Sequence, residues 1–177
     1  MSHALTFETD RLVLRPHVRD DFDGSFAMWT DADVTRFIGG KPSTREEVWA
    51  RLLRYIGHWA LLGFGYWVVS EKTTGRFLGE VGFADYHRDI EPSLDGQPEI
   101  GWAFAPQAQG QGFATEAVQG ALRWADAQWP DGRIACLITP ENTASLRVAA
   151  KCGFVEERHT SYKNQPTIVL HRNPGVR

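Results

Sequence analysis

The first third of the chain shows hydrophobic spacings typical of one strand followed by two helices. Residues 12–16 alternate between apolar and other side chains up to a proline, which predicts a short strand. An aromatic-bearing helix is expected to begin at Asp20. A second helix is expected to be capped by Ser43 or Thr44, and to end at Gly63. The apolar residues that recur one turn apart along this second helix are Val48, Leu52, Ile56 and Trp59.

The middle of the chain changes to short apolar runs that are separated by hairpin-length connections. Residues 64–70 and 77–83 predict two strands, and residues 72–75 supply a turn between them. Residues 85–98 are polar and carry prolines and a glycine, so they predict a surface loop. Residues 99–105 predict a third strand. Three strands in succession indicate an antiparallel meander.

The last third alternates between helices and strands. Apolar residues from 114 to 125 follow the spacing of a helix that packs on a sheet. The further elements expected are a strand over 133–138, a short helix over 142–151 that ends at Gly153, and strands near 154 and over 167–171. This order implies an α/β sheet of mixed direction. Because the sequence shows no internal repeat and no linker, residues 1–177 are expected to form one domain.

Composition and charge narrow the function classes without naming one. Of the 177 residues, 42% are hydrophobic and 23% are charged, which is typical of a folded globular protein. The formal net charge of −3 argues against nucleic acid as a partner, and no apolar run is long enough to span a membrane. Two cysteines, Cys136 and Cys152, and six scattered histidines predict neither a disulfide framework nor a metal site. A cytoplasmic location is the simplest expectation.

Two glycines one residue apart, Gly110 and Gly112, lie where a predicted strand ends and a helix begins. Glycine permits positive φ and a close approach of a ligand to the backbone, and the first N–H groups of a helix have no internal partners. The backbone amides of residues 109–114 are therefore predicted to hold a phosphate or a diphosphate. Phe113 occupies the position where a P-loop needs lysine, and Thr115 occupies the position of the third glycine of a dinucleotide fingerprint. A glycine-rich loop without any ligand is the alternative interpretation.

The segment Gln107-x-x-Gly110-x-Gly112, followed by Ala114-Thr-Glu-Ala117, resembles the acetyl-CoA-binding motif of the GNAT-superfamily N-acetyltransferases. The opening segment, Glu8 to Pro16, is similar to the first strand of the branch that contains the ribosomal-protein N-terminal acetyltransferases. The segment Asn142 to Phe154 resembles the second cofactor motif of that branch. The resemblance extends over almost the whole chain.

The resemblance implies a single-domain α/β fold with a mixed, mostly antiparallel sheet that is flanked by helices and has a splayed central pair of strands. The strand that ends at Ala105 would diverge from the strand near Leu137, and the pantetheine arm of acetyl-CoA would lie in the gap. A backbone N–H near Trp102 to Phe104 would stabilise the developing negative charge. The residues expected to bind acetyl-CoA are Phe104, Ala105, Gln109, Gly110, Gln111, Gly112, Phe113, Ala114, Thr115 and Asn142.

By the same resemblance, Ser145 is expected beside the sulfur of the cofactor, where its hydroxyl would donate a hydrogen bond to the leaving thiolate. Asn142 lies about one helical turn earlier and is expected to bond the pantetheine amides. The alternative interpretation is that Asn142 only caps the helix and that Ser145 bonds back to it. Asn142 can serve both purposes.

A general base is expected to take a proton from the acceptor ammonium group. Glu99 on the third strand of the meander is the main candidate, and Glu80 on the preceding strand is the second. Asp85 and His87 in the following loop are further candidates, and a reaction of the neutral fraction of the amine would need no base. Alternation along each strand leaves open which carboxylate faces the cleft.

The sequence therefore predicts an enzyme that moves an acetyl group from acetyl-CoA to a primary amine, either a protein N-terminal α-amine or a small-molecule amine. Phe26, Trp29 and Phe37 are expected either to wall the acceptor site or to pack in the core. The rival interpretations are a non-catalytic acyl-CoA-binding regulatory module and an enzyme that acts on a nucleotide phosphate. Association into a homodimer is left open.

Overall fold

The helices and strands of the computed structural model, which describes residues 5–175, follow the predicted order. The strands are β1 (Phe7–Glu8), β2 (Leu12–Pro16), β3 (Tyr66–Glu71), β4 (Phe77–Ala84), β5 (Glu99–Phe104), β6 (Ile134–Ile138), β7 (Val155–Tyr162) and β8 (Gln165–Arg172). The helices are α1 (Phe22–Trp29), α2 (Ala32–Thr35), α3 (Arg45–Leu62), α4 (Phe113–Gln128) and α5 (Thr143–Lys151). The hydrophobic pattern does not predict β1 or α2, because elements of 2 and 4 residues are too short to show a period.

Within the described residues, the strands form one eight-stranded sheet in the order β1-β2-β3-β4-β5-β6-β8-β7. The pairings are antiparallel except that of β5 with β6, which is parallel. Parallel neighbours need a crossover connection, and here α4 lies between the two strands in the chain. The predicted mixed, mostly antiparallel sheet flanked by helices is confirmed.

The central strands β5 and β6 separate shortly after they meet. The register between them consists of Glu99 opposite Ala135, whereas β5 pairs with β4 along its whole length, from Ala84 opposite Glu99 to Gly79 opposite Phe104. Beyond its first residue, β5 therefore presents a free edge toward β6. This confirms the predicted splay and leaves a gap in the middle of the sheet.

The two faces of β5 look toward different helices. Ile100 and Phe104 pack in the main core with the apolar side of α4. Ala103 packs on the opposite face, with residues of α1, α2 and α3. Because side chains alternate along a strand, Glu99 and Gly101 lie on the same face as Ala103. The gap between β5 and β6 thus has the layer that contains α4 on one face of the sheet and the layer that contains α1, α2 and α3 on the other.

Helix α3 begins and ends where its sequence predicts. The Thr44 hydroxyl accepts a hydrogen bond from the Glu47 N–H, and the Glu47 carboxylate accepts one from the Thr44 N–H, which forms a capping box. Gly63 ends the helix with a φ of 74°. The buried side includes Tyr55, whereas Ile56, predicted to lie on the apolar stripe, is 39% exposed. Like the other helices of the described chain, α3 lacks the combination of length and apolar character needed to cross a membrane.

The loop over residues 85–98 is more than the surface segment predicted from its polarity. Ile90 and Leu94 are buried, and they pack against Ala135 of β6 and Val169 of β8. These two apolar anchors hold the loop against the sheet next to the splay. A largely polar composition hides such anchors, because the segment has only two aliphatic side chains among its fourteen residues.

Candidate active site

The turn between β5 and α4 has the geometry expected of an anion site. Gly110 and Gly112 have φ values of 73° and 81°, in the left-handed region that favours glycine. Gly112 is the N-cap of α4 and has no side chain to cap it, so the N–H groups of the first helical turn have no side-chain acceptor at that position. These amides lie at the positive end of the helix dipole. The turn therefore offers a cradle of backbone donors to a phosphate.

Two glutamines fasten this turn to the structure that precedes it. The side-chain amide of Gln109 donates to the Phe104 carbonyl over 3.1 Å. The side-chain amide of Gln111 donates to the Gln107 carbonyl over 2.7 Å. The turn is thus held in shape by hydrogen bonds to the end of β5 and to the short 3₁₀ turn that follows it.

A cleft of about 460 Å³ lies between this turn, the end of β5, α5 and the region of α2. Nine of the predicted site residues line it, namely Phe104, Gln109, Gly110, Gly112, Phe113, Ala114, Thr115, Asn142 and Ser145. The structure thus brings together two segments that lie about 30 residues apart in the chain. From the sheet, the cleft is lined by Trp102, Ala103 and Phe104 of β5, the strand that diverges from β6.

Three predicted site residues lie off the wall of the cleft, namely Ala105, Gln111 and Glu99. The N–H of Ala105 donates to Leu78, its carbonyl accepts from Ala108, and its side chain is buried among α1, α2 and α3. Gln111 is exposed, on the outer side of the turn. Local motif spacing identifies such residues but does not show which way each one points.

On α5, the side chain of Asn142 has both a capping contact and a place in the cleft. Its Oδ1 accepts a hydrogen bond from the Ser145 N–H over 3.1 Å, so Asn142 is the N-cap of the helix. Asn142 and Ser145 both line the cleft. Within the described residues, the Ser145 hydroxyl has no hydrogen-bond partner. This hydroxyl is free to donate to a group in the cleft.

Sequence reasoning missed several residues of the cleft. Arg147 and Lys151 lie four residues apart on α5, and both line the cleft. The Cys152 thiol, 3.9 Å from the Thr115 carbonyl, places this end of α5 beside the first turn of α4. Two cations at i and i+4 on a short helix next to a predicted phosphate site are a signal that could have found them. They place positive charge near the cradle of amides.

The opposite end of the cleft is formed by α2 and the residues after it. Asp33, Val34, Phe37 and Ile38 line this end together with Trp102 and Ala103 of β5. Of the three aromatic residues considered for an acceptor wall, Phe37 lies in the cleft. Trp29 is buried in the core, and Phe26 stacks on Phe22.

Glu99, the main candidate for the base, is held by an ion pair. Arg88 Nε lies 2.6 Å from one carboxylate oxygen of Glu99, and Arg88 Nη2 lies 2.7 Å from the other. The Arg88 guanidinium lies between the rings of Tyr86 and Tyr162, at 4.5 and 4.9 Å from their centroids. Each oxygen thus accepts one bond from Arg88 and keeps a second lone pair for another donor.

Glu80, the second candidate, is buried in a network of side chains. Its oxygens accept hydrogen bonds from the Ser25 hydroxyl over 2.6 Å and the Trp29 indole N–H over 2.9 Å. His17 Nε2 lies 3.3 Å from the same carboxylate. Burial alone would raise the pKa of Glu80, but the contacts with His17, Ser25 and Trp29 hold it below its ordinary value. Glu80 is 1% exposed and does not line the cleft.

The loop candidates Asp85 and His87 lie away from the cleft. His87 is largely exposed, and its ring nitrogens are 3.7 Å from Asp85 and 3.4 Å from Asp95. Neither residue lines the cleft.

Comparison with known proteins supplies the decisive observation. The acetyltransferase (GNAT) domain family matches residues 11–155, which is most of the chain and includes both cleft-forming segments. The chain belongs to the GNAT acetyltransferase family. It is an acetyl-CoA-dependent acetyltransferase, as the sequence resemblance predicted.

Individual GNAT relatives agree with this assignment. The chain is 32% identical to a GNAT-family acetyltransferase of Bordetella pertussis, whose solved structure matches with a TM-score of 0.83 over 94% of this chain and 98% of that one. It is 32% identical to the Bacillus subtilis protein YkkB over 93% of both chains. It is 28% identical to the N-acetyltransferase p20 of Bacillus licheniformis over 86% of this chain and 83% of that one.

Proposed function

We propose that this GNAT acetyltransferase moves the acetyl group of acetyl-CoA to the α-amine of a protein N-terminus. The fold by itself leaves the acceptor open. A ribosomal-protein-S5-alanine acetyltransferase of Vibrio fischeri and a spermidine N-acetyltransferase of Vibrio cholerae share it at 21% and 20% identity, with TM-scores of 0.73 and 0.72. The choice between acceptor classes rests on the charges that line the cleft.

The single observation that carries the choice of acceptor is the charge at the α2 end of the cleft. Asp33 is the one carboxylate among the described residues that line the cleft. A polyamine or an aminoglycoside carries several positive charges and calls for several carboxylates, whereas an N-terminal α-amine carries one. Phe37, Ile38 and Trp102 add apolar surface that suits the first side chains of a peptide.

The donor is proposed to bind along the cleft from the turn to the gap in the sheet. Of the predicted amides of residues 109–114, that of Gln109 already donates to the Pro106 carbonyl, so those of residues 110–114 would hold the diphosphate. Arg147 and Lys151 would add positive charge nearby. The pantetheine arm would lie along the free edge of β5 and pair with its backbone, as an added strand does. Asn142 would bond a pantetheine amide with the part of its side chain that the cap leaves free.

The chemistry is an attack by the amine nitrogen on the thioester carbon, after which the carbon–sulfur bond breaks. A backbone N–H near Trp102 to Phe104 would donate to the developing oxyanion. The Ser145 hydroxyl would donate a hydrogen bond to the departing thiolate. We propose that Glu99 takes the ammonium proton, directly or through water, at a lone pair that Arg88 leaves free, and that the second proton of the attacking nitrogen passes to the departing sulfur, so that the products are the amide and the free thiol of CoA.

The acceptor is tested by following acetyl-CoA-dependent thiol release with a matched set of amines. The set contains peptides with free N-termini, the same peptides with blocked N-termini, spermidine and an aminoglycoside. We expect release with free peptides and none with blocked ones. Greater release with spermidine or the aminoglycoside would overturn the choice of acceptor. Binding of acetyl-CoA without release for any amine would favour a regulatory module over an enzyme.

The catalytic roles are tested by Ser145→Ala and Glu99→Gln. Ser145→Ala is expected to lower kcat more than it weakens acetyl-CoA binding. If the variant is as active as the unchanged protein, Ser145 has only a structural role. Glu99→Gln is expected to lower the Tm because it removes the charge that pairs with Arg88, and, if Glu99 is the base, it also removes one limb of the pH–rate profile. A lower Tm with an unchanged pH profile would assign Glu99 to the ion pair with Arg88 instead.

Two further predictions concern location and assembly. The two free cysteines, both buried, suit the reducing environment of the cytoplasm, where we place the protein. A homodimer stays a prediction, which light scattering at several protein concentrations would check.

A further inference from the structure

The first turn of α4 is tied to the N-terminal strands by one carboxylate. Glu116 accepts hydrogen bonds from the Thr9 hydroxyl over 2.6 Å, from the Arg11 backbone N–H over 2.9 Å, and from Arg11 Nε over 2.7 Å. These partners lie 105 or more residues away in the chain. Charge-assisted hydrogen bonds of this kind are the strong ones. Glu116 therefore holds the segment between β1 and β2 against the start of α4.

The Arg11 side chain continues this contact onto the glycine turn. Its Nη1 donates to the Gln111 carbonyl over 3.0 Å, and its guanidinium lies 4.5 Å from the centroid of the Phe113 ring. Its Nη2 would be 3.4 Å from a Cβ atom placed on Gly112. One guanidinium thus contacts Gln111 and Phe113 and lies beside the glycine between them. Arg11 does not line the cleft, so it acts on the turn from outside.

The charge of Glu116 creates a conflict that Arg11 resolves. A carboxylate in the first turn stabilises a helix, but here it also lies beside the amides that would face a diphosphate. Partial burial alone would raise the pKa of Glu116, yet hydrogen bonds from Thr9 and from the Arg11 backbone and side chain hold it below its ordinary value. Glu116 is therefore ionised at neutral pH. Without a cation next to it, it would repel the ligand.

We infer that Arg11, together with Thr9, is a positioning residue for acetyl-CoA: it fastens the glycine turn in its anion-binding shape and neutralises Glu116 at the edge of the diphosphate site. This inference rests on the proposed role of the turn in binding the diphosphate. It assigns to Arg11 an effect on donors that carry a diphosphate. It predicts no effect on the reacting thioester or on the acceptor.

The test compares Arg11→Ala, Arg11→Lys and the double variant Arg11→Ala/Glu116→Gln with the unchanged protein. Calorimetry gives the Kd of acetyl-CoA, and initial rates give the KM of acetyl-pantetheine, which has no diphosphate. Arg11→Ala is expected to raise the Kd of acetyl-CoA by about 10-fold, with kcat at saturating donor changed by less than about 2-fold. The KM of acetyl-pantetheine is expected to stay unchanged. The double variant recovers part of the lost affinity because the stranded negative charge is gone.

Arg11→Lys keeps the charge beside Glu116 and provides a well-folded comparison if Arg11→Ala proves unstable. It is expected to fall between the unchanged protein and Arg11→Ala. Lys72→Ala is a matched control, because Lys72 pairs with Glu8 in the same part of the sheet, and both side chains are exposed. This control is expected to leave the Kd of acetyl-CoA unchanged.

The outcomes separate the inference from the function on which it rests. If the unchanged protein fails to bind acetyl-CoA, the donor site itself is wrong. If it binds and both Arg11 variants bind equally well, the positioning role is wrong. Equal losses with acetyl-CoA and acetyl-pantetheine would also overturn it, since they would show a general loss of structure. No recovery in the double variant would refute the neutralisation of Glu116.

Discussion

Glu80 allows a sharp distinction between a catalytic and a structural carboxylate. It is fully buried, and its two oxygens accept hydrogen bonds from Ser25 and Trp29. In Glu80→Gln, the amide oxygen can still accept from the Trp29 indole, and the amide NH₂ can donate to the Ser25 hydroxyl, whose own proton rotates away. In Glu80→Leu, both donors are left without an acceptor. We therefore expect the two substitutions to differ in stability.

The magnitudes follow from the hydrogen bonds that each substitution changes. Glu80→Gln loses the charge-assisted part of the bonds from Ser25 and Trp29, about 1–2 kcal/mol, whereas Glu80→Leu strands these two buried donors at about 1–3 kcal/mol each. Both substitutions also remove the carboxylate charge beside His17. For a chain of this length, 1 kcal/mol shifts the Tm by about 2–4 °C. We expect a Tm lower by about 2–8 °C for Glu80→Gln and by a larger amount for Glu80→Leu. The order of stability is unchanged protein, then Glu80→Gln, then Glu80→Leu.

The pH dependence gives a second measurement. Because the pKa of Glu80 is lower in the folded chain than its ordinary value of 4.5, its charge contributes stability above that value. This contribution is lost as the pH falls through the lower, folded-state pKa. Urea unfolding is thus expected to show the largest difference between the unchanged protein and Glu80→Gln at neutral pH, with the difference shrinking below about pH 4.5.

The activity of Glu80→Gln distinguishes a structural from a catalytic role of Glu80. It is measured at a temperature well below the Tm of this variant and of the unchanged protein. If Glu80 is structural, Glu80→Gln keeps kcat within about 2-fold, whereas loss of a general base costs about 10²–10⁴-fold. A loss of that size with little change in Tm would refute the structural interpretation. Glu8→Gln is the control for charge removal, since Glu8 forms an exposed pair with Lys72 whose loss costs about 0–1 kcal/mol.

Three further predictions test the turn, the cap and the thiols. Gly112→Val is expected to weaken acetyl-CoA binding and, because Gly112 has a positive φ, to lower the Tm through about 1–2 kcal/mol of backbone strain. Gly112→Asn is the control, since asparagine tolerates this φ. An unchanged Kd of acetyl-CoA in both variants would show that the turn does not bind the cofactor. Asn142→Ala is expected to cost about 1 kcal/mol of stability and to raise the KM of acetyl-CoA. Asn142→Asp keeps the helix cap. If both the Tm and the KM are normal in Asn142→Asp, capping is the role of Asn142. Burial raises the pKa of Cys136 and raises that of Cys152 to about 11. Ellman's reagent is therefore expected to leave the native protein unlabelled and to titrate two thiols after unfolding. Rapid labelling of the native chain would contradict this burial.

The sequence alone predicts features whose physical cause is local. Thr44, Glu47 and Gly63 mark the ends of α3 because capping depends on residues within one turn of each other. The positive φ of Gly110 and Gly112 follows from a tight turn between a strand and a helix. Local motifs of this kind were enough to predict the fold class and the family, and nine of the twelve predicted site residues line the cleft.

Features that depend on side chains from distant segments were decided only by the tertiary structure. Glu99 is predicted as a base from its strand position, but the loop at residues 85–98 brings Arg88 onto both of its oxygens. Glu80 is enclosed by Ser25 and Trp29, more than 50 residues away. Strand register and helix rotation determine these contacts, and neither is encoded in the spacing of a single segment.

The same limit explains the contact between Arg11 and Glu116. Each residue lies in a recognisable motif, but their meeting across 105 positions depends on how α4 packs against β2 around a shared core. Hydrophobic periodicity predicts which side of each helix or strand faces the core. Which other helix or strand it packs against depends on the order of strands in the sheet. The sequence thus determined the longer elements, the turn and the family, and the packing of the sheet decided which charged side chains meet.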